Sequence, residues 1–305
     1  MVKVSSGLET PPAFSRNDKL SNQGRGIEIV GLVLTSSFLI YINTRGSFMA
    51  QTKFGLGKEQ VRQYHQQGWL GPFSLISEAE MAEVRRRIEA EILDPGKQQD
   101  LDERDYFHNR HLDNRCIYDL LSHPNLVERA ASILGEHLVL WRTNFQIKLP
   151  HSQQDDWDTV IPWHQDCAYY QPSPNVILSA WIAVDEANKA NGCMQVLPGS
   201  HKRLYPHIKT EGADRFGLRA DPATFDPSLA VRIELKPGQF VFFNESTLHS
   251  STANRSERRR FGITPRLTVP FVEVGNRSKI KVLMLKGEDY MGDYNVVPAP
   301  SEQLG

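Results

Sequence analysis

The chain has 305 residues, of which 40% are hydrophobic and 23% are charged, and its formal net charge is −1. This composition excludes wholesale disorder, and a net charge near zero gives no electrostatic reason to expect nucleic acid or an anionic membrane as a partner. The three cysteines, Cys116, Cys167 and Cys193, have no C-x-x-C spacing, which argues against a disulfide framework or a thiolate metal site. We therefore expect a cytoplasmic protein, in an oligomeric state that the sequence leaves open.

The N-terminal segment differs in composition from the rest of the chain. Residues 1–26 are polar, and residues 27–42 form an apolar run of 16 residues that one Glu and two Ser interrupt. A spanning helix needs about 20 apolar residues, and no small-x-small cleavage site follows the run. We expect residues 1–48 to be a poorly ordered extension, either an over-long start before Met49 or a weak anchor or targeting peptide. Residues 49–305 are expected to form a single domain.

Helix signals dominate the first third of the functional sequence. A short helix is predicted over residues 58–67. Ser77 followed by Glu80 is typical of a capping box, in which each side chain satisfies a free amide of the other residue. The next helix carries one apolar stripe: Met81, Val84, Ile88 and Ile92. A third helix is predicted over residues 124–134, with proline in its first turn and Gly135 after its end.

Strand and turn patterns take over from His137. The apolar segments lie at residues 137–149, 176–184, 193–197, 230–243 and 261–274. The turn dipeptides between them are Asn191-Gly192, Pro198-Gly199 and Pro237-Gly238. Many short strands separated by Gly/Pro turns predict an α+β protein with a mainly β core. We expect a double-stranded β-helix (a cupin-like jelly roll) with the N-terminal helices packed on one sheet.

Two histidines begin an H-x-D sequence, and only one of them has the context of a metal site. His164 and Asp166 should point to one face if they lie on a strand, and His249 follows 85 residues later, after the apolar run 240–243. Two imidazoles and one carboxylate are the ligand set of O₂-activating non-haem iron enzymes. The alternative is that these are hydrogen-bonded histidines near the core. His111, the other H-x-D histidine, is expected at the surface or beside the metal ligands.

Several motifs, taken together, resemble one family. They are Pro162-Trp-His-Gln-Asp166, Ala180-Trp-Ile-Ala183, the run Asn191-Gly-Cys-Met-Gln-Val-Leu-Pro-Gly-Ser-His201, and His249-Ser-Ser-Thr-Ala-Asn-Arg-Ser256 with Arg260 eleven residues after His249. In this order they resemble the phytanoyl-CoA dioxygenase family of non-haem iron(II), 2-oxoglutarate-dependent oxygenases, over about residues 105–295. One departure is Ser250, where the family often has glycine.

The resemblance implies both a cofactor set and a reaction class. His164, Asp166 and His249 would hold Fe(II), with 2-oxoglutarate and O₂ as cosubstrates and ascorbate as a reactivating reductant. The implied reaction hydroxylates a small molecule at an unactivated C–H and releases succinate and CO₂. Related halogenases carry a small residue in place of the carboxylate ligand, so Asp166 favours hydroxylation over chlorination. Desaturation and cyclisation stay open.

The resemblance also indicates how 2-oxoglutarate is held. A planar guanidinium binds a carboxylate through two hydrogen bonds, as the C5 carboxylate requires. Strand alternation places Arg258 and Arg260 on one face, so spacing leaves both open, and the resemblance selects Arg260. The other two arginines of the Arg258–Arg260 run are expected at a solvated edge.

Three further residues are candidates for the cosubstrate pocket. The resemblance gives Ser251 a hydrogen bond to 2-oxoglutarate and gives Trp181 a place in the pocket wall. Gln146 is chosen because polar residues alternate with apolar ones on its strand, which suggests a polar pocket. That row is Arg142, Asn144, Gln146 and Lys148.

Two rival functions stay open at the level of sequence. One is a non-catalytic member of the fold that binds or senses a ligand, and the other is a cupin-type metalloenzyme that does not use 2-oxoglutarate. We expect loops 150–161 and 202–229 to form a substrate lid. Because no extended basic patch suits the phosphates of coenzyme A, a metabolite smaller than an acyl-CoA is favoured, as in secondary metabolism.

Overall fold

The computed structural model describes residues 38–42, 48–52, 54–94, 107–153, 160–210 and 217–301. The prediction for residues 1–48 therefore falls largely outside the described residues. Strands β1 (Phe38–Ile42) and β2 (Phe48–Thr52) pair antiparallel in a two-stranded sheet. In the described ranges, no helix is both long enough and apolar enough to cross a bilayer.

Five α-helices lie in the described residues. They are α1 (Lys58–Gln67), α2 (Glu78–Glu91), α3 (Arg115–Leu121), α4 (Pro124–Leu134) and α5 (Cys167–Tyr170). The Ser77 hydroxyl accepts from the Glu80 amide at 3.2 Å, and the Glu80 carboxylate accepts from the Ser77 amide at 2.7 Å. The predictions for α1, α4 and the capping box are therefore confirmed.

Two β-sheets form the body of the domain, and all their strand pairs are antiparallel except the parallel pair β14–β15. The larger sheet has the strand order β15-β14-β4-β13-β6-β11-β3, and the smaller has the order β10-β7-β12-β5. The strands of the larger sheet are β3 (Trp69–Ser74), β4 (Leu138–Lys148), β6 (Leu178–Ala183), β11 (Gln239–Asn244), β13 (Arg260–Thr268), β14 (Lys281–Lys286) and β15 (Asn295–Val296). Those of the smaller are β5 (Ile161–His164), β7 (Met194–Val196), β10 (Val231–Ile233) and β12 (His249–Ser251). A separate hairpin joins β8 (His207–Lys209) to β9 (Leu218–Ala220).

Strand alternation divides the core into two layers. Trp181 of β6 and Phe243 of β11 pack with Val196 of β7, between the sheets. The intervening residues of the same strands, such as Ile182, face the opposite way and pack against helix residues such as Ile88. The N-terminal helices therefore cover the outer face of the larger sheet. The predicted fold class, a mainly β α+β protein with helices on one sheet, is confirmed.

The turn predicted at Pro237-Gly238 separates the apolar segment 230–243 into two strands, β10 and β11, which lie in different sheets. Gly238 has φ +83°, and a Cβ there would lie 2.4 Å from the Ile76 carbonyl oxygen. The first third is mainly helical as predicted, but it also contains one strand that the sequence did not predict, β3, which pairs with β11 at the edge of the larger sheet.

Candidate metal centre

His164 and His249 face each other on two neighbouring strands of the smaller sheet. Their Cα atoms are paired in the β5–β12 ladder, and the ring centroids are 4.1 Å apart. The Oδ1 atom of Asp166 lies 3.2 Å from His164 Nε2 and 3.8 Å from His249 Nε2. One ligand atom from each residue lies within 4.8 Å of the others, and all three side chains are buried. The structure thus brings together the three residues that the sequence singled out.

The local route by which Asp166 reaches this cluster differs from the expectation. Strand β5 ends at His164, and Asp166 has helical dihedrals (φ −60°, ψ −33°) as the residue before α5. A turn through Gln165, rather than strand alternation, therefore brings the carboxylate to the imidazole. The Gln165 side chain fixes this turn by donating to the carbonyls of Arg203 and Ser246.

Both imidazoles have a defined orientation. His164 Nδ1 lies 2.8 Å from the Pro162 carbonyl oxygen, and His249 Nδ1 lies 2.9 Å from that of Thr247. Because a carbonyl only accepts, we assign the ring proton to Nδ1, so that Nε2 of each ring is unprotonated on the side of Asp166. Burial and the neighbouring His164 lower the pKa of His249 to about 4. His249 is thus neutral at physiological pH, the form that binds metals.

A buried arginine holds the other carboxylate oxygen of Asp166. Arg266 Nη2 donates to Asp166 Oδ2 at 2.8 Å, and Arg266 Nε lies 3.4 Å from Glu245 Oε1. Burial opposes ionisation of Asp166, but Arg266 and the two histidines outweigh it and hold the pKa of Asp166 well below its usual range. Burial and the nearby Asp166 raise the pKa of Glu245 to about 8. Asp166 is therefore the permanently ionised member of this carboxylate pair.

On the other side of the same cavity, Arg260 has no acidic partner among the residues that the structure describes. Its side chain is 1% exposed, and Nη1 donates to the Gly192 carbonyl oxygen at 3.1 Å. Nε has no hydrogen-bond partner among the described residues, and the guanidinium lies 5.2 Å from the Trp181 ring centroid. Burial lowers the pKa of Arg260 to about 10, still well above neutrality. A buried, charged guanidinium with a free donor is a site for an anion.

The other two arginines of the run have acidic partners, so the geometry separates what spacing could not. Arg258 is 81% exposed at its side chain and lies 3.5 Å from Glu186, as expected for a solvated residue. Arg259 donates to Asp185 at 2.8 Å and to Glu89 at 2.7 Å, and only 25% of its side chain is exposed. The expectation of a solvated edge is therefore wrong for Arg259.

A buried lysine lies next to Arg260. Lys148 stands opposite Arg260 in the β4–β13 ladder, and its Nζ donates to Ser251 Oγ at 2.7 Å and to the Thr252 carbonyl oxygen. Burial and the charge of Arg260 lower the pKa of Lys148 to about 5. Ser251, which the resemblance implicates in cosubstrate binding, thus lies between Lys148 and the cavity.

Trp181 and Gln146 form one unit in the cavity wall. Trp181 Nε1 donates to Gln146 Oε1 at 3.1 Å. The Trp181 ring lies against Gly262, where a Cβ would come within 2.1 Å of Trp181 Cζ2. Gln146 lines the cavity, but its oxygen is occupied by the indole, so only its amide nitrogen is available to a ligand.

The cavity that joins these groups has a volume of about 340 Å³. Its lining residues are His108, Arg142, Asn144, Gln146, Ile161, His164, Asp166, Tyr169, Tyr170, Trp181, Met194, His249, Ser250, Ser251, Arg260 and Arg266. His111 is absent from this lining. It is fully buried elsewhere, with Nδ1 2.9 Å from Thr143 Oγ1, and burial lowers its pKa to about 3. The expectation of a surface position is therefore wrong.

A comparison with protein families agrees with this arrangement. The family model described as "Phytanoyl-CoA dioxygenase (PhyH)" matches residues 64–262, which include the histidine-aspartate cluster and Arg260. The chain belongs to the phytanoyl-CoA dioxygenase family. The resemblance noted in the sequence is confirmed.

Curated members of the phytanoyl-CoA dioxygenase family match at moderate identity. The rat (Rattus norvegicus) "Phytanoyl-CoA dioxygenase, peroxisomal" is 28% identical over 233 residues, 68% of this chain and 67% of the relative. A "Probable phytanoyl-CoA dioxygenase" of Caenorhabditis elegans is 30% identical over 159 residues, half of each chain. A "Probable alpha-ketoglutarate-dependent hypophosphite dioxygenase" of Stutzerimonas stutzeri is 29% identical over 59% of this chain and 63% of the relative. The match thus spans about half the length of the worm relative.

Solved structures show the same fold. A structure titled "non-heme monooxygenase; ThoJ apo" superposes with a TM-score of 0.69 at 22% identity, over 79% of this chain and 88% of that one. One titled "CytC3 with Fe(II) and alpha-ketoglutarate" gives 0.62 at 22% identity, over 81% and 95%. At this identity the likeness concerns the fold of the phytanoyl-CoA dioxygenase family.

The sequence alone did not single out the two charged residues that lie next to Asp166, Arg266 and Glu245. Arg266 lies in a strand whose nine residues are all buried, and Glu245 follows directly after β11. A charge inside an otherwise apolar strand is a usable signal, because a buried charge needs a partner. Its partner, however, lies 100 residues away and follows only from the strand register.

Proposed function

We propose that this chain is an iron(II)- and 2-oxoglutarate-dependent dioxygenase that hydroxylates a small-molecule metabolite at an unactivated C–H, with release of succinate and CO₂. His164, Asp166 and His249 hold the metal, and Arg260 binds the C5 carboxylate of 2-oxoglutarate. The observation that carries the proposal is the pairing, within one cavity, of a buried histidine-carboxylate cluster with a buried arginine that has no acidic partner in the described part of the chain.

The donor set fits ferrous iron. Two neutral imidazoles and one carboxylate leave positions of an octahedral ion open, whereas soft metals prefer thiolate ligands. Each histidine donates Nδ1–H to a backbone carbonyl, and Asp166 is held by Arg266, so all three ligands are oriented by outer partners. Such partners reduce the rotamer freedom that binding a metal would otherwise remove.

The polar groups around Arg260 fit a dicarboxylate. Its free Nε and the Ser251 hydroxyl are donors for the C5 carboxylate. Lys148 donates to Ser251 Oγ, which directs the hydroxyl proton of Ser251 towards another acceptor. Trp181 stacks on the guanidinium, and its bond to Gln146 fixes the indole, so that the planar fork of Arg260 is held in one orientation.

Iron bound with 2-oxoglutarate and O₂ supplies the oxidising power for attack on an unactivated C–H. The protein supplies a buried site, fixed ligands and a cation for each anionic group. Asp166 stays ionised because Arg266 stabilises its charge, so one negative charge faces the metal throughout the neutral pH range.

The test is turnover by the full-length protein supplied with Fe(II), 2-oxoglutarate and O₂ over a library of small metabolites. We expect iron-dependent succinate release, its loss in His249→Ala, and its retention in Arg258→Ala, the exposed neighbour of the proposed cosubstrate arginine. O₂ consumption without succinate would instead indicate a cupin-type enzyme, and the absence of both would indicate a protein that only binds a ligand.

A further inference from the structure

Among the described residues, Arg142 lines the cavity without an ion-pair partner. It lies on β4, and its Nε donates to Asn144 Oδ1 at 3.2 Å. Among the described residues, neither of its terminal nitrogens has a hydrogen-bond partner, and no carboxylate oxygen lies within 4.0 Å. Its side chain is half-buried. The two terminal nitrogens of this cavity-lining guanidinium are thus donors that a bound molecule could use.

The surroundings hold this guanidinium in place but do not neutralise it. Arg142 and Arg266 are direct neighbours across the β4–β13 ladder, and both guanidiniums lie over the Tyr170 ring, 5.1 Å and 4.9 Å from its centroid. Arg266 is balanced by Asp166 and by Glu245. Like charges that face each other across two strands are unfavourable. Arg142 therefore adds an uncompensated charge where packing alone would favour a neutral residue.

The charge of the whole cavity points the same way. Three guanidiniums, those of Arg142, Arg260 and Arg266, face one lining carboxylate, that of Asp166. Ferrous iron and the 2-oxoglutarate dianion cancel each other. Two positive charges remain in excess, or one when Glu245 is ionised. A further anion would bring the loaded cavity close to neutrality.

Arg142 cannot share the carboxylate that Arg260 binds. Arg142 is paired with Arg266, whereas Lys148 is paired with Arg260, six residues away along β13. At a strand rise of about 3.3 Å per residue, the two positions are about 20 Å apart along the sheet. The end of the cavity near Arg142 is thus distinct from the end that suits 2-oxoglutarate.

We propose that the substrate carries an anionic group, a carboxylate or a tetrahedral oxyanion such as a phosphonate, which the terminal nitrogens of Arg142 bind. This inference rests on the proposed function, since it assigns the primary substrate of that site. The planar fork of the guanidinium matches two oxygens of either group. Arg142 thereby selects small anionic metabolites and orients the carbon chain beyond the anion towards the metal ligands.

The test uses matched charged and neutral probes on the full-length protein. The anaerobic protein with Fe(II) and saturating 2-oxoglutarate is titrated with butanoate, with its neutral isostere butanamide, and with propylphosphonate. Perturbation of the visible charge-transfer band of the iron–2-oxoglutarate chelate reports occupation of the substrate side. The same titrations are made on Arg142→Leu, on Arg142→Lys, and on Arg258→Leu as an exposed-arginine control.

We expect at least one of the two anions to bind at least tenfold more tightly than butanamide. Arg142→Leu should lose that preference, Arg142→Lys should keep part of it, and Arg258→Leu should behave as the wild type. The 2-oxoglutarate midpoint should be the same in Arg142→Leu as in the wild type.

A stronger response to butanoate assigns a carboxylate, and a stronger response to propylphosphonate assigns a tetrahedral oxyanion. Equal binding of acid and amide, no response to either anion, or an unchanged preference in Arg142→Leu overturns the inference. Failure of the wild type to form the band contradicts the proposed function instead.

Discussion

Arg266 and Asp166 form a buried ion pair on the outer side of the histidine-aspartate cluster. Arg266 Nη2 lies 2.8 Å from Asp166 Oδ2, and both side chains are at least nine-tenths buried. Arg266 also lies 3.4 Å from Glu245. One guanidinium thus separates two buried carboxylates, of which only Asp166 is directed at the histidines.

Removal of this guanidinium should affect both stability and metal binding. In Arg266→Leu, Asp166 and Glu245 face each other without a cation, so we expect a loss of about 3–5 kcal/mol in the free energy of unfolding. The pKa of Asp166 should rise, so that a proton competes with the metal at higher pH than in the wild type. Denaturant unfolding and Co(II) binding against pH measure the two effects. Arg115→Leu, which breaks the exposed pair with Asp119, should cost at most about 1 kcal/mol.

Loss of Arg260 should weaken 2-oxoglutarate binding and leave metal binding intact. In Arg260→Ala we expect the binding free energy of 2-oxoglutarate to fall by about 2–5 kcal/mol, the range for truncating one member of a buried charge pair. Cosubstrate titrations compare it with Arg258→Ala, which removes an exposed arginine paired with Glu186. Equal 2-oxoglutarate affinity in the two variants would exclude Arg260 as the C5 partner.

Lys148 should lower the stability of the ligand-free protein and strengthen the binding of 2-oxoglutarate. Its pKa is lowered to about 5, because it is buried beside Arg260. Between about pH 5 and pH 10 the unfolded chain therefore binds one proton more than the folded chain, so stability rises with pH by about 1.4 kcal/mol per unit. Lys148→Met should remove that part of the slope and stabilise the ligand-free protein at neutral pH.

The same variant should bind 2-oxoglutarate less tightly. Without the donor to Ser251 Oγ, which orients the Ser251 hydroxyl, we expect a loss of about 0.5–1.5 kcal/mol, the range for a hydrogen bond between neutral groups. Denaturant unfolding at several pH values measures the change in stability, and cosubstrate titration measures the change in 2-oxoglutarate affinity. Lys58→Met, an exposed control at the start of α1, should change neither. A destabilised Lys148→Met at neutral pH would contradict the prediction.

Gly262 offers a perturbation that changes no charge. An added methyl would lie 2.1 Å from Trp181 Cζ2, so Gly262→Ala should displace the indole from Gln146 and from Arg260. We expect about 1–3 kcal/mol of overpacking cost and weaker 2-oxoglutarate binding. Indole fluorescence and cosubstrate titration check both. Gly57→Ala, whose methyl meets only an ordinary contact at 3.8 Å, serves as the control.

Local chemistry explains which elements the sequence could predict. Helix α4 was predicted from Pro124 to Leu134 because proline in the first turn and Gly135 after the last are local signals. Strand β3 was missed because Gly71-Pro72 reads as a turn. The structure accommodates it at the edge of the larger sheet, where a residue without an amide proton leaves no ladder bond unmade.

The candidate site likewise contains residues that local motifs predict and residues that depend on contacts between distant strands. The positions of His164, Asp166 and His249 follow from motif spacing, and the structure brings these residues together. The choice between Arg258 and Arg260 could not follow from alternation, because it depends on Glu186 as the partner of Arg258. The network of Arg266 with Asp166 and Glu245 depends on a register between distant strands, which no local pattern encodes.

The most direct test of the proposed site is an anaerobic titration of the full-length protein with Fe(II) and then with 2-oxoglutarate, followed by visible absorption. We predict a weak charge-transfer band that saturates at one iron and one 2-oxoglutarate per chain. His164→Ala and His249→Ala should lose the band while remaining folded by circular dichroism. A wild-type protein that binds iron but develops no band with 2-oxoglutarate, or a band that survives in both histidine variants, would contradict the assignment of this site.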